Sequence, residues 1–462
     1  MSSQGAPEYP AVGLRRGASS GATRADLFLL SLWVAALTFN LDVLSEFKAY
    51  DFIGVLCIFR FRKSLLVALR RPRANARWLL WFFGFILLGT LVTVLRSSTT
   101  TEILVVGLRF YRVLCGISLF LILGSSLRSL SQAFVVLRVI FLSALVQALL
   151  IVLQWMGIVP ILWPEAERYY LTIYPTGTLG LNHLNSVLFM VVGLAAALAV
   201  FFRDEGWPAA LKAPLFGVAS VTMIAAMLAG ESLSGLVALP TMGLSMSWRV
   251  KGARVVFVVV ICAVLMRPFL ATDLSGQAGR IWEDRITAKG VDLSGELEEI
   301  YQVDRIRSRL WFDTIAALLE HPVLLVVGTG FQNFRALGVS ATGAHNQYLT
   351  ALAELGIGGF VAFSMWLWSQ LMLFRRSKQV TEARLTVPLM SAFSCMVALM
   401  VVGLFNSVLY PARALPGFFG FALAYLGVMG AALRVLGASQ PFAPRVASRK
   451  PHLLPTTPGK QI

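Results

Sequence analysis

The chain has 462 residues, of which 57% are hydrophobic and 14% charged, and its formal net charge is +17. Soluble domains are about half apolar and about a quarter charged, so composition argues against a soluble globular protein. The basic residues sit in short clusters between apolar runs, not along a stripe interleaved with stacking aromatics. No nucleic-acid partner is therefore expected.

Residues 1–26 are polar and include Arg15, Arg16 and Arg24; they are predicted to be a cytoplasmic N-terminal segment. The apolar run from Leu27 lacks a small-residue cleavage site and reads as a retained first span, not a signal peptide. Apolar runs follow at about 27–46, 50–66, 78–96, 103–124, 133–157, 184–202, 213–230, 234–248, 255–271, 350–374, 387–409 and 415–436. Most are near the length of about 20 residues that spans about 30 Å of hydrocarbon. The expectation is an all-α integral membrane protein with about twelve transmembrane helices, nine within 27–271 and three within 349–436. Alternate connections hold 25 of the 40 Lys and Arg residues, which marks that side as cytoplasmic. Both termini then lie inside, and residues 437–462 read as a disordered cytoplasmic tail. Cys57, Cys115, Cys262 and Cys395 lie in or beside apolar runs without metal or disulfide spacing, and read as small buried residues.

The segment 272–348 falls on the outer side and carries ten of the 23 acidic residues. Loops of this length are functional or disordered, and helix and turn signals favour function here. Ile306, Leu310, Ile315, Leu318 and Leu319 recur at helical spacing, which predicts an amphipathic helix stopped by Pro322. Arg305, Arg309 and Asp313 are four apart on it and share a face. Two guanidiniums on one face suit a diphosphate; a solvated face with an Arg309–Asp313 surface pair is the plainer alternative.

Gly328-Thr329-Gly330 predicts a tight turn. His345 and Asn346 precede the helix that re-enters the membrane, where free N–H groups attract anions and a histidine can exchange a proton near neutral pH. An interfacial histidine followed by an N-capping Asn346 fits the same spacing. His321, before Pro322, reads as a helix-end residue, and His183 at a span's outer end reads equally as structure or site. Arg109 and Arg112 lie three apart inside an apolar run, and intramembrane charges face a cavity or a partner. Either both point to a polar chamber or they snorkel or pair with Glu102.

Taken in order, Gly177-Thr178-Leu179-Gly180-Leu181-Asn182-His183-Leu184-Asn185, Ser232-Leu233-Ser234-Gly235-Leu236, Arg309-Leu310-Trp311, Pro322, Gly328-Thr329-Gly330, His345-Asn346-Gln347-Tyr348-Leu349 and Glu354-Leu355-Gly356 form a series. This series resembles the O-antigen ligase and O-antigen polymerase superfamily over roughly residues 170–375. The resemblance implies a GT-C-like inner-membrane glycosyltransferase with a periplasmic active site beneath a large loop containing short helices. It implies an undecaprenyl-diphosphate-linked glycan as donor, a glycan or lipid A-core as acceptor, and no metal or other cofactor. It gives His345 the role of functional histidine and Arg309 that of diphosphate-binding arginine, with Arg305, Arg307, Arg285 and Arg280 as further candidates. Asn346, Arg112, Arg109 and His183 complete the candidate substrate-binding set. Many members carry an arginine near the serine motif that opens the eighth span; here Ser232-Leu233-Ser234-Gly235 has none. Polymerase and ligase are not separated by these residues. The alternative class is a secondary transporter or flippase for an anionic or lipid-linked substrate, which the span count suits and the absence of visible repeats does not.

Overall fold

The computed structural model describes residues 22–40, 42–44, 47–162, 175–179, 183–202, 209–229, 233–247, 309–340, 343–375, 383–411 and 416–439. The described residues are mostly helical, as lipid demands of a chain that must satisfy its own backbone. In chain order the helices are α1 (Arg24–Ala36), α2 (Ala49–Arg60), α3 (Arg62–Arg70), α4 (Ala74–Arg96), α5 (Thr100–Ser126), α6 (Leu130–Trp155), α7 (His183–Phe201), α8 (Ala209–Ala229) and α9 (Leu233–Ser247). Residues 309–320 form α10. They are followed by α11 (Pro322–Val327), a 3-10 turn (Phe334–Leu337), α12 (Gln347–Arg375), α13 (Ala383–Val402) and α14 (Pro416–Ser439). A small antiparallel hairpin pairs β1 (Asp42–Leu44) with β2 (Phe47–Lys48).

Six described helices are long and apolar enough to cross a bilayer: α4, α5, α6, α12 and the 211–229 and 417–436 stretches of α8 and α14. Their outer sides are apolar as lipid requires, with Leu88 and Leu95 on α4 and Leu142 and Leu149 on α6 all exposed. This is a membrane protein. The expected count of about twelve spans does not follow from the described residues. The first predicted span is cut short, because α1 ends at Ala36 and the chain turns into the hairpin. The second divides at Phe61 into α2 and α3, among Arg60, Arg62 and Lys63. The ninth, 255–271, lies outside the described residues. Cys57, Cys115 and Cys395 are buried free thiols, as expected, and Cys262 lies outside the described residues.

Helix α5 packs on α14, α4 on α12, α6 on α7, and α9 on α13. The first pair approaches closely: a Cβ on Gly427 would lie 2.9 Å from the Phe120 carbonyl oxygen. A second, smaller core gathers Leu318, Phe334, Ala344 and Ala353 with Trp311, Leu324 and Leu337, and seats α10 and α11 on α12. The predicted amphipathic helix, α10, ends at residue 320, just before Pro322 as expected, and Pro322 then starts α11 at its first position, where its missing N–H costs nothing.

Helix α12 is broken at Gly356, whose φ of 67 and ψ of −175 are outside the helical range. The break frees two carbonyls. Ala353 O accepts from Thr329 N at 2.8 Å, and Glu354 O accepts from Gly330 N at 3.0 Å. The approach is backbone to backbone. A Cβ on Gly356 would lie 2.1 Å from Val326 O, and one on Gly328 would lie 2.3 Å from Glu354 O. Two separate pieces of the sequence series thus fit into one another, and only glycine fits either side.

Candidate functional site

A cavity of about 280 Å³ lies where α4 ends and α5 begins. Arg96, Glu102 and Arg109 reach it from those helices, Gln332 and Arg335 from the turn after α11, Thr350 and Glu354 from α12, and Ser407 and Tyr410 from the α13–α14 connection. Its three guanidiniums are all held. Arg335 pairs with Glu102 at 2.6 Å, Arg96 donates to Thr329 O at 3.2 Å, and Arg109 donates to Gln332 Oε1 at 3.2 Å.

Glu354 is the hub of the wall. It is 5% exposed and accepts from the Tyr410 hydroxyl and the Gln332 backbone N–H, each at 2.7 Å. Gln332 adopts φ 62, a left-handed conformation that costs a non-glycine residue about 1 kcal/mol or more. That twist lets it serve Glu354 with its backbone while its side-chain amide joins Arg109 to Pro411 O, the latter at 2.7 Å. Burial, and then the neighbouring Glu354, push the Tyr410 phenol well above its ordinary range, so it remains a donor.

The 403–411 connection is fixed from several directions. Gln347 N donates to Gly403 O, and Gln347 Oε1 accepts from Leu409 N, both at 2.9 Å. Asn406 donates to Ser234 Oγ at 2.7 Å, which ties in the serine motif of α9. Sequence reading placed most of this connection in the eleventh span and missed Ser407 and Tyr410. The available signal was the polar pair Asn406-Ser407 followed by Pro411.

The sequence candidates divide as follows. His345 is exposed and left-handed, with φ 49. Asn346 caps α12, its Oδ1 accepting from Tyr348 N at 2.9 Å and Leu349 N at 3.1 Å. Thr350, which lines the cavity, donates its hydroxyl to Asn346 O at 2.8 Å, so His345 stands about one helical turn from the cavity wall. Arg309 is at the first described position of α10, with its side chain 83% exposed and 3.7 Å from Asp313. Two residues on, Trp311 Nε1 donates to Ala344 O at 2.9 Å and joins the Arg309 helix to the peptide before His345. His321 precedes α11 as a helix-end residue.

Arg109 and Arg112 part company. Only Arg109 reaches this cavity; Arg112 pairs with Asp51 at 2.9 Å, their side chains 9% and 1% exposed, and lies 5.7 Å over the Tyr50 ring. Three residues leave them short of a full turn of 3.6, so they occupy neighbouring faces. Glu102, the partner that sequence suggested for them, is taken by Arg335. His183 is the first residue of α7. Upstream, Thr178 of the same motif is buried and bonded to Gln147 and to Thr38 O, at 2.7 and 3.0 Å, which is a structural use. Arg280, Arg285, Arg305 and Arg307 lie outside the described residues.

Residues 218–364 match the O-antigen ligase family model. The match supports the O-antigen ligase/polymerase superfamily. The family segment runs from within α8 to within α12 and takes in Arg309, the Gly-Thr-Gly turn, His345, Glu354 and Gly356. Arg96, Glu102 and Arg109 on one side, and Tyr410 on the other, come from outside it and complete the cavity. No curated protein matches the chain.

Proposed function

We propose that the protein is an inner-membrane glycosyltransferase that moves a glycan from undecaprenyl diphosphate to an acceptor hydroxyl on the periplasmic side, with a growing glycan or lipid A-core as acceptor. The O-antigen ligase family segment suggests ligase or polymerase activity and a lipid-linked glycan substrate. The observation that carries the reading is the Trp311–Ala344 hydrogen bond, which brings the helix of Arg309 to the peptide of His345 beside a cavity furnished with Arg96, Arg109 and Arg335.

In the proposed step the acceptor oxygen attacks the anomeric carbon, the bond from that carbon to the diphosphate oxygen breaks, and undecaprenyl diphosphate leaves with both bonding electrons. The His345 imidazole takes the hydroxyl proton. Arg309 and the cavity arginines, permanently charged, stabilise the negative charge that grows on the leaving diphosphate. The charge bias supports the periplasmic side, because the α4–α5 turn belongs to the connections poor in Lys and Arg. A transporter would hold its substrate near the midplane; this cavity is at the helix ends.

The test is transfer by the purified protein from lipid-linked donor to acceptor. A folded His345→Ala protein is expected to lose about 10²–10⁴-fold in rate. Wild-type rate in that variant would remove the base. Deletion in the native host with glycan profiling separates the two activities: loss of long chains indicates a polymerase, and lipid-linked polymer that never reaches lipid A-core indicates a ligase.

A further inference from the structure

At the opposite end of α4 and α5 is a second cavity, of about 290 Å³. Arg71 and Arg73 enter it from the α3–α4 junction, Arg128 from the α5–α6 turn, and Arg434 from the end of α14. No Asp or Glu is among the described residues that line it. The arginines are close enough for Arg73 and Arg128 each to repel Arg434. The arrangement is built, not a chance crowding of the surface. Arg434 is anchored to the carbonyls of Ser125 and Leu127. Arg73 lies across Gly124, where an added Cβ would come within 3.7 Å of its Nη1.

Helix dipoles account for part of this cluster only. Arg128 and Arg434 sit near helix C-termini, where positive charge is favoured. Arg71 caps the C-terminus of α3, where it is favoured too, but Arg73 is the N-cap of α4, where it is not, and the first turn of that helix has no acidic residue and no side-chain cap. Gathering four like charges costs free energy that an anion in the cavity would recover. The apolar surroundings indicate which anion. Val67 lines the cavity and is 63% exposed, and α3 is amphipathic without a buried residue, with Leu66 exposed beside it. Those side chains give the cavity an apolar mouth along which the acyl chains of a bound lipid can run, a contact that a soluble anion does not use.

We propose that this cavity holds the phosphate headgroup of an anionic phospholipid from the leaflet opposite the candidate active site. Basic pockets between membrane helices bind such headgroups. The arginines satisfy the phosphate oxygens, the end of α4 adds its N–H groups, and the acyl chains lie along α3. The proposal is independent of the transfer reaction.

The experiment is native mass spectrometry of the full-length protein in detergent with phosphatidylglycerol, phosphatidylethanolamine or inorganic phosphate added. Phosphatidylglycerol is expected to bind the wild type more tightly than phosphatidylethanolamine. The Arg71→Gln/Arg73→Gln protein is expected to lose about fivefold in that affinity per arginine removed, and the matching lysine double variant to retain most of it. Should the glutamine double variant fail to elute as a folded species, Arg128→Gln, on an exposed turn, carries the same expectation. Equal binding of the two lipids, or phosphatidylglycerol affinity unchanged in a folded glutamine variant, overturns the site. Displacement of phosphatidylglycerol by millimolar inorganic phosphate overturns the lipid in favour of a soluble anion.

Discussion

The two cavities at the ends of α4 and α5 are nearly equal in size, about 280 and about 290 Å³, and opposite in chemistry. The first mixes three arginines with Glu102 and Glu354; the second has four arginines and no carboxylate among its described lining residues. In the first, each guanidinium is held before any substrate arrives, by Glu102, Gln332 or a backbone carbonyl. Such preorganisation suits stabilisation of charge that appears during a reaction. The second suits permanent occupation by an anion. Positive charge alone therefore does not separate the two candidate sites; the carboxylates that stand among the first set of cations do.

The largest effect should come from Gly356→Ala. The new methyl would lie 2.1 Å from Val326 O, and φ 67 is strained for alanine. Loss of the α12 break would displace the Gly-Thr-Gly turn and with it Gln332 and Arg335. We expect destabilisation of about 4 kcal/mol or more, and loss of transfer. Phosphatidylglycerol binding by whatever folded protein remains should persist, since Gly356 does not line the second cavity. Loss of lipid binding in that folded fraction would show that the two ends are not separate sites.

Arg109 and Arg112 sharpen the contrast within one helix. Arg112→Ala strands Asp51, 1% exposed, and should cost about 3–5 kcal/mol in thermal or denaturant unfolding. Arg109→Ala removes a cation at the candidate site and should lower transfer about 10²–10³-fold, with a smaller change in unfolding. The reverse pattern would place the chemistry elsewhere. Next in size is Tyr410→Phe, which removes one hydrogen bond to the buried Glu354 and should cost about 1.5–3 kcal/mol in the same measurement.

Sequence periodicity located most of the long helices, because a run near 20 apolar residues reads the same whatever it packs against. It overextended the first two spans, where the hairpin at Asp42–Lys48 and the division at Phe61 are local events within an apolar background. His345, Asn346 and Arg309 were visible because they interrupt or flank helical patterns. Of the cavity wall Arg109 was visible, as a charge inside an apolar run, but the pairings that hold the wall were not. Glu354 to Tyr410, Arg109 to Gln332 and Arg112 to Asp51 join residues 56, 223 and 61 positions apart. No local spacing encodes such pairs; they exist only once α2, α5, α12 and the 403–411 connection have been brought together. The glycines were legible as turn signals, but the fit of Gly328 against Glu354 O needed coordinates.

The smallest effect tests the reading of Arg309 itself. Its pair with Asp313 spans 3.7 Å between side chains 83% and 53% exposed. Water screens such a pair, and ordering two long side chains offsets most of the attraction, so its worth is about 0–1 kcal/mol. Asp313→Asn should leave the melting temperature essentially unchanged. If Arg309 binds the diphosphate, the same substitution frees its guanidinium and should hold or slightly raise the rate at low donor concentration, while Arg309→Ala lowers it. If the pair is only a solvated surface contact, both variants should transfer glycan at the wild-type rate. An equal fall in both would instead mean that the pair, and not the arginine alone, positions α10 against Ala344. Trp311→Phe, which deletes the hydrogen bond to Ala344 O, would then reproduce that fall.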